Sequence, residues 1–301
     1  MAMNETRTLK SLIACALALC AAPSLSRAAD EPPAPKGIVA RPCAAQPEMT
    51  PHFRELLEHF FVPGKLDPAF YKSLADDPEM QSRMAAQREQ AAHDWANLCR
   101  YRAADEVANQ AAAGAPRPQV VYLGDSITEN WQLADPGLFS ASVLDRGISG
   151  QTSPQILLRF YQDVISLNPR VLHLMAGTND IAGNTGPSAP GDFEHNISAM
   201  LDLAAAHHIR VVLAAIPPSR SLGWSGIDPR AQIARLNEWL AAEAKRRHLV
   251  FVDYGSVLAA ADGGMDEAWS NDGVHPNRAG YARMRPLAEA AIQRALKEGN
   301  R

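Results

Sequence analysis

Val120-Val121-Tyr122-Leu123-Gly124-Asp125-Ser126-Ile127-Thr128 carries four strand-forming residues directly into Gly-Asp-Ser. A buried strand that stops at the carboxyl edge of a sheet delivers the next residue into a crevice, where α/β proteins place their reactive groups. Ser126 is thereby the candidate nucleophile. A hydroxyl there needs a base in reach, an acid to orient the base, and donors for a developing oxyanion.

From Pro118 onward the chain alternates short apolar runs with amphipathic ones. Strands are predicted at Val120–Leu123, Ser142–Leu144, Val171–Met175, Arg210–Ala215 and Leu249–Val252, and helices at Pro154–Ser166, Gly191–His207, Pro229–Arg247 and Asn277–Lys297. That order implies a parallel sheet covered by helices on both faces. His173, inside a buried strand, is expected in the core. His207 and His208 end a helix, where positive charge suits the dipole.

Upstream, residues 1–28 read as a secretory signal peptide. Arg7 and Lys10 form a basic start, Ser11 to Ala22 is apolar but too short to span a bilayer, and Ser26-Arg27-Ala28 offers a cleavage site. Leu12-Ile13-Ala14-Cys15 has the form of a lipoprotein box, but the apolar run before it is too short. Residues 29–48, with Pro32, Pro33, Pro35, Pro42 and Pro47, form an extended arm. Residues 49–115 form a helical extension with three starts of one kind, a capping residue followed by proline: Thr50-Pro51, Asp67-Pro68 and Asp77-Pro78. The third helix is expected to run on to about Gln110. Residues 116–301 form the catalytic domain. The location expected is a bacterial periplasm or beyond, with no integral membrane association. A net charge of −4, with no basic cluster beyond the short Lys245-Arg246-Arg247 that suits a helix C-terminus, argues against nucleic-acid binding. Cys43 and Cys99 remain after the signal, and an oxidising compartment makes a disulfide between them plausible, with two separate buried thiols as the alternative.

The base is found in Asn271-Asp272-Gly273-Val274-His275-Pro276-Asn277, between the last strand and the last helix. In a parallel sheet this loop shares an edge with the Ser126 loop. Asp272, three residues before His275, can turn back to accept the Nδ1–H and leave Nε2 free for Ser126, with Gly273 permitting the return. Two further strand-end loops can supply oxyanion donors: Arg146-Gly147-Ile148-Ser149-Gly150, through the Gly150 N–H, and Gly177-Thr178-Asn179-Asp180, through the Asn179 amide. Asp125 and Asp180 are expected to brace loops. Glu129, Asp145 and Arg146 lie near the site and could contact substrate, though the sequence assigns them no role, and Trp131 and Trp224 could line a pocket or pack in the core or on the surface.

These blocks resemble those of the SGNH (GDSL) hydrolase superfamily: Gly124-Asp125-Ser126-Ile127, with Ile where Leu is usual, then Gly147-Ile148-Ser149-Gly150, Gly177-Thr178-Asn179-Asp180 and Asp272-Gly273-Val274-His275. The similarity covers roughly residues 117–297. It implies a flavodoxin-like three-layer α/β/α sandwich of about five parallel strands. It also implies Ser126 as nucleophile, His275 as base and Asp272 as its orienter, with an oxyanion hole of the Ser126 and Gly150 N–H groups and the Asn179 side chain. No metal or organic cofactor is implied. The expected activity is that of a secreted serine esterase on short acyl or O-acetyl esters of small molecules or carbohydrate. Lysophospholipase or thioesterase action on longer chains is the alternative, as is a non-catalytic glycan-binding protein on the same fold.

Overall fold

The computed structural model describes residues 37–39, 42–43, 48–64, 66–111 and 117–297. The expected signal peptide and most of the proline-rich arm lie outside the described residues.

Five strands, β1 (Val120–Gly124), β2 (Val143–Gly147), β3 (Val171–Met175), β4 (Arg210–Ala214) and β5 (Val250–Val252), form one all-parallel sheet in the order β2-β1-β3-β4-β5. This is the flavodoxin-like order, as the resemblance implied. The chain leaves β1 toward β2 and then crosses to β3 on the other side. Order therefore reverses between β1 and β3, and a crevice opens beyond their carboxyl ends. The central strands are buried on both faces, which is why they read as continuous apolar runs.

Successive side chains supply opposite faces. Val121, Leu123, Leu172, Leu174, Val211 and Leu213 pack beneath α6 (Ser153–Leu158), α8 (Pro190–Ala206) and α9 (Arg230–Arg246). Val120, Tyr122, Val171, Val212 and Val252 pack beneath α5 (Ser126–Ala134) and α11 (Arg278–Lys297). The N-terminal helices α1 (Pro51–Phe61), α2 (Pro68–Asp76) and α3 (Pro78–His93) join this second face through Phe53, Leu57, Phe60, Phe61, Leu74 and Met80. All three helix starts carry the expected cap, with Thr50, Asp67 and Asp77 each accepting a first-turn N–H.

Three boundaries differ from the sequence expectation by more than one residue. The long third helix stops at His93, and α4 (Arg102–Ala111) is separate. The Asp94 carboxylate takes the Leu98 and Cys99 N–H groups, and Asn97 adopts a left-handed φ of 53°, so residues 94–101 fold as turns. Cys99 is bonded to Cys43, which fixes this segment to the N-terminal arm. The helix expected over Pro154–Ser166 is broken at Arg159, after which Tyr161–Ile165 continues as a π turn. The Arg159 guanidinium is fully buried beneath the ends of β1 and β2. β2 also runs to Gly147 because Asp145 and Arg146 turn inward to partners of their own.

Candidate active site

Ser126 begins α5, and Asp125 caps it by accepting the Ile127 N–H at 2.9 Å. The Ser126 N–H thus lies in the first helical turn, where no intrahelical partner exists. Burial pushes the Asp125 carboxyl up to about 6, against the pull of that hydrogen bond and of His275.

The return to the serine is made by the loop before α11. His275 Nε2 lies 2.9 Å from Ser126 Oγ, and His275 Nδ1 lies 2.7 Å from Asp272 Oδ2. The other Asp272 oxygen accepts the backbone N–H groups of Val274 at 2.9 Å and His275 at 2.8 Å, and the Ser270 hydroxyl at 3.1 Å. Burial favours the neutral acid, but the His275 charge and these hydrogen bonds outweigh it, and Asp272 is held below the ordinary carboxylate range. Gly273 makes the return with φ +82°, a conformation that side chains disfavour. Between β5 and this loop the sequence reading missed a short helix, α10 (Gly255–Leu258).

The other two blocks meet across the crevice. Asn179 lies in α7 (Thr178–Ala182), just past β3, and donates one of its two amide N–H groups to the Gln151 carbonyl at 3.0 Å. Asn184 joins the two candidate donors: its amide donates to Asn179 Oδ1 at 2.8 Å and to the Gly150 carbonyl at 3.1 Å. Its own Oδ1 accepts the Trp224 indole N–H at 3.0 Å. Neither contact has a motif in the sequence. Gly147 is required by close approach, since a Cβ there would lie 2.1 Å from the Glu129 nitrogen.

Asp180 accepts the Ser153 N–H and hydroxyl, so it braces loops as expected, as does Asp125. Asp145 does not face substrate; it is buried and accepts the Gly147 N–H at 2.6 Å. Arg146 is likewise buried, paired with Asp105 of α4. Glu129 is buried on Ser149 and Arg100. Trp131 is fully buried among Tyr122, His173, Tyr254 and Tyr281, so it belongs to the core rather than to a pocket. His173 is a core residue too, stacked on Tyr122 and bonded to the Tyr254 hydroxyl. Among the described residues no group of three or more His, Cys, Asp and Glu side chains is arranged to hold a metal ion. Among them also, no helix is long and apolar enough to cross a membrane.

Comparison with known proteins agrees with this architecture. A solved structure from Bacteroides fragilis NCTC 9343, assigned as an acylhydrolase, is 40% identical, covering 68% of this chain and 99% of that one with a TM-score of 0.62. A GDSL-like lipase from Bacteroides thetaiotaomicron VPI-5482 is 36% identical over 66% of this chain and 98% of that one, with a TM-score of 0.61. A multidomain esterase of Ruminococcus flavefaciens is 29% identical over 39% of this chain and 15% of its own length. An uncharacterized lipoprotein of Bacillus subtilis strain 168 is 30% identical over 33% of this chain and 48% of its own. The chain thus spans less than half the length of either of these two curated relatives. The model of the GDSL-like lipase/acylhydrolase family matches residues 122–283. That match takes in all four motif blocks and more than half of the 301 residues, and the chain belongs to the GDSL-like lipase/acylhydrolase family.

Proposed function

We propose that this protein is an exported serine esterase that hydrolyses carboxylic esters carrying a short acyl group, O-acetyl esters included. The observation that carries the reading is the unbroken relay from Ser126 Oγ to His275 Nε2 and from His275 Nδ1 to Asp272, at 2.9 and 2.7 Å. It stands at the β1/β3 crevice of a sheet whose order favours ligand binding there.

In this mechanism Ser126 Oγ attacks the ester carbonyl carbon while its proton passes to His275 Nε2. Asp272, ionised, stabilises the imidazolium. The tetrahedral oxyanion is received by the Ser126 and Gly150 N–H groups and the Asn179 amide. The C–O bond to the alcohol breaks as His275 returns the proton to the leaving oxygen. Water then attacks the acyl carbon while giving a proton to His275, and the bond to Ser126 Oγ breaks as His275 returns that proton to Oγ, releasing the acid and restoring the serine. The balance is ester plus water to acid plus alcohol, and no cofactor enters.

The short-acyl preference rests on the polar character of the groups around the Gly150 and Asn179 loops. There Thr152 and Thr185 share one hydrogen bond, and Asn184 links Asn179 to the Trp224 indole through two others. A long acyl chain calls for an apolar trough. Export is supported by the Cys43–Cys99 disulfide, a bond that persists in oxidising compartments.

The test is hydrolysis of p-nitrophenyl esters from acetate to palmitate, with acetate release from acetylated xylan and pectin in parallel. A steep acetate preference supports the proposal. A preference for long chains moves the protein to lysophospholipase or thioesterase chemistry. Wild type as inert as Ser126→Ala on every ester defeats hydrolysis and leaves glycan binding to be measured.

A further inference from the structure

Glu129 stands three residues after Ser126 on the same helix, and it is buried. One of its oxygens accepts both the Ser149 N–H at 2.8 Å and the Ser149 hydroxyl at 2.6 Å. The other accepts Arg100 Nη2 at 3.0 Å. The residue immediately before Gly150 is therefore fixed by a carboxylate carried on the nucleophile's own helix. That carboxylate is in turn paired with a cation from the N-terminal extension.

The same extension segment holds the oxyanion loop at neighbouring points. Tyr101 donates its hydroxyl to the Gly147 carbonyl at 2.5 Å. Gln151 donates to the Ala96 carbonyl and Gln155 to the Trp95 carbonyl, both at 2.7 Å. Arg146, beside Gly147, pairs with Asp105 at 2.6 Å. The segment itself is anchored by the Asp94 turn and by the Cys43–Cys99 bond.

From this arrangement we infer that Arg100 and Glu129 are positioning residues for the oxyanion hole. Segment 94–105 is the brace through which the helical extension sets the rate of the reaction, rather than a lid over it. An oxyanion donor contributes only where it is pre-aimed at the site of developing charge, and small misplacements there cost rate more than substrate binding. Serine 149 is held at both its N–H and its hydroxyl, so the backbone that leads into Gly150 has little freedom. With Arg100 gone, the buried carboxylate loses its cation and the loop loses that stop. The inference rests on the esterase reading for its kinetic arm only.

The experiment compares Arg100→Ala, Arg100→Lys and Glu129→Gln with wild type in two measurements. The first is steady-state hydrolysis of p-nitrophenyl acetate, and the second is amide hydrogen exchange over residues 147–152. The account expects kcat of Arg100→Ala and of Glu129→Gln to fall about 10- to 100-fold, with KM within about threefold of wild type. Arg100→Lys, which keeps the charge, should recover most of the loss. The combined Arg100→Ala/Glu129→Gln variant should be no slower than the slower single variant, because the pair acts as one unit. Exchange over 147–152 should quicken about tenfold in Arg100→Ala while the sheet amides stay protected. An unchanged kcat in folded Arg100→Ala, or unchanged exchange at 147–152, overturns the inference. If Arg100→Ala does not fold, Glu129→Gln decides by the same two criteria. Wild type that turns over no ester defeats the esterase reading alone, and the exchange comparison still decides the brace.

Discussion

Tyr281 donates its hydroxyl to the Ile127 carbonyl at 2.8 Å, joining the helix that follows His275 to the helix that Ser126 begins. Both partners are buried. The distance between His275 and Ser126 is thus tied to a contact between two helices that the sequence places some 150 residues apart. Tyr281→Phe removes only this one buried hydrogen bond, because the Ile127 carbonyl keeps its place in the helical ladder, and the loss costs about 0.5–1.5 kcal/mol. Urea denaturation should show a lower midpoint with an unchanged slope, and kcat should fall several-fold while KM holds. An unchanged kcat would mean that the two helices are aligned by packing alone.

Arg159 makes a second internal tie. Its guanidinium reaches the Gly124 carbonyl at 2.8 Å, the Arg146 carbonyl at 2.7 Å, Asp163 at 2.7 Å and Gln151 at 2.6 Å, with no exposed surface. Arg159→Met strands Asp163 as a buried charge and should cost about 3–5 kcal/mol of stability. Arg159→Met/Asp163→Leu should recover a large part of that loss. A double variant no more stable than the single would show that the carbonyl contacts, not the ion pair, dominate.

Asn184 is exposed, yet it holds Asn179 and Gly150 together. Asn184→Ala should leave the melting temperature within about 2 °C of wild type, as surface substitutions do. The same variant should lower kcat by about tenfold through loss of oxyanion-donor alignment. Asn184→Asp, which cannot donate to either oxygen, should be slower still. Equal kcat in all three proteins would remove Asn184 from the site.

Much of this was legible in the chain. Each motif block couples a strand end to a polar loop, and a parallel sheet necessarily brings such loops to one edge. Ser126, His275 and Asp272 could therefore be picked out as residues that meet in space, and the structure brings them within hydrogen-bond distance. The segment 94–105 contacts were not legible: Gln151 and Gln155 reach backbone carbonyls of Ala96 and Trp95, which leave no signature in side-chain type, and Arg100–Glu129 and Arg146–Asp105 join residues far apart in the chain with no shared motif. Nor was the break at His93 legible, since Asp94 and Asn97 act through local turn geometry inside a run that reads as helical. Arg159 resembles an ordinary exposed helix arginine until the sheet is laid over it. Glu129, Asp145 and Arg146 could have contacted substrate by their nearness in sequence to the motifs, though the sequence assigned them no role. Their burial reverses that reading.

His173 gives the pH dependence its sign. Burial lowers its pKa to about 3, from 6.5 in the unfolded chain. Between those values the unfolded state binds the proton that the folded state refuses, so stability contributed by neutral His173 is complete above pH 6.5 and is lost as pH falls toward 3. Relative to His173→Gln, wild type should lose about 1.4 kcal/mol per pH unit across that window, with no relative change above pH 7. Denaturation of both proteins at pH 8, 6, 5 and 4 measures it. Parallel curves throughout would mean that the imidazole takes up its proton in the fold as readily as in the unfolded chain.

The most direct test of the central claim is pre-steady-state hydrolysis of p-nitrophenyl acetate by wild type and Ser126→Ala. Mass spectrometry of the quenched wild-type protein completes it. Acyl-enzyme chemistry at Ser126 should give a burst of nitrophenol of about one equivalent, an acetyl group on the peptide that contains Ser126, and turnover reduced by about 10⁴-fold or more in Ser126→Ala. Turnover in Ser126→Ala equal to wild type, or an acetyl group found only on another residue, would contradict it.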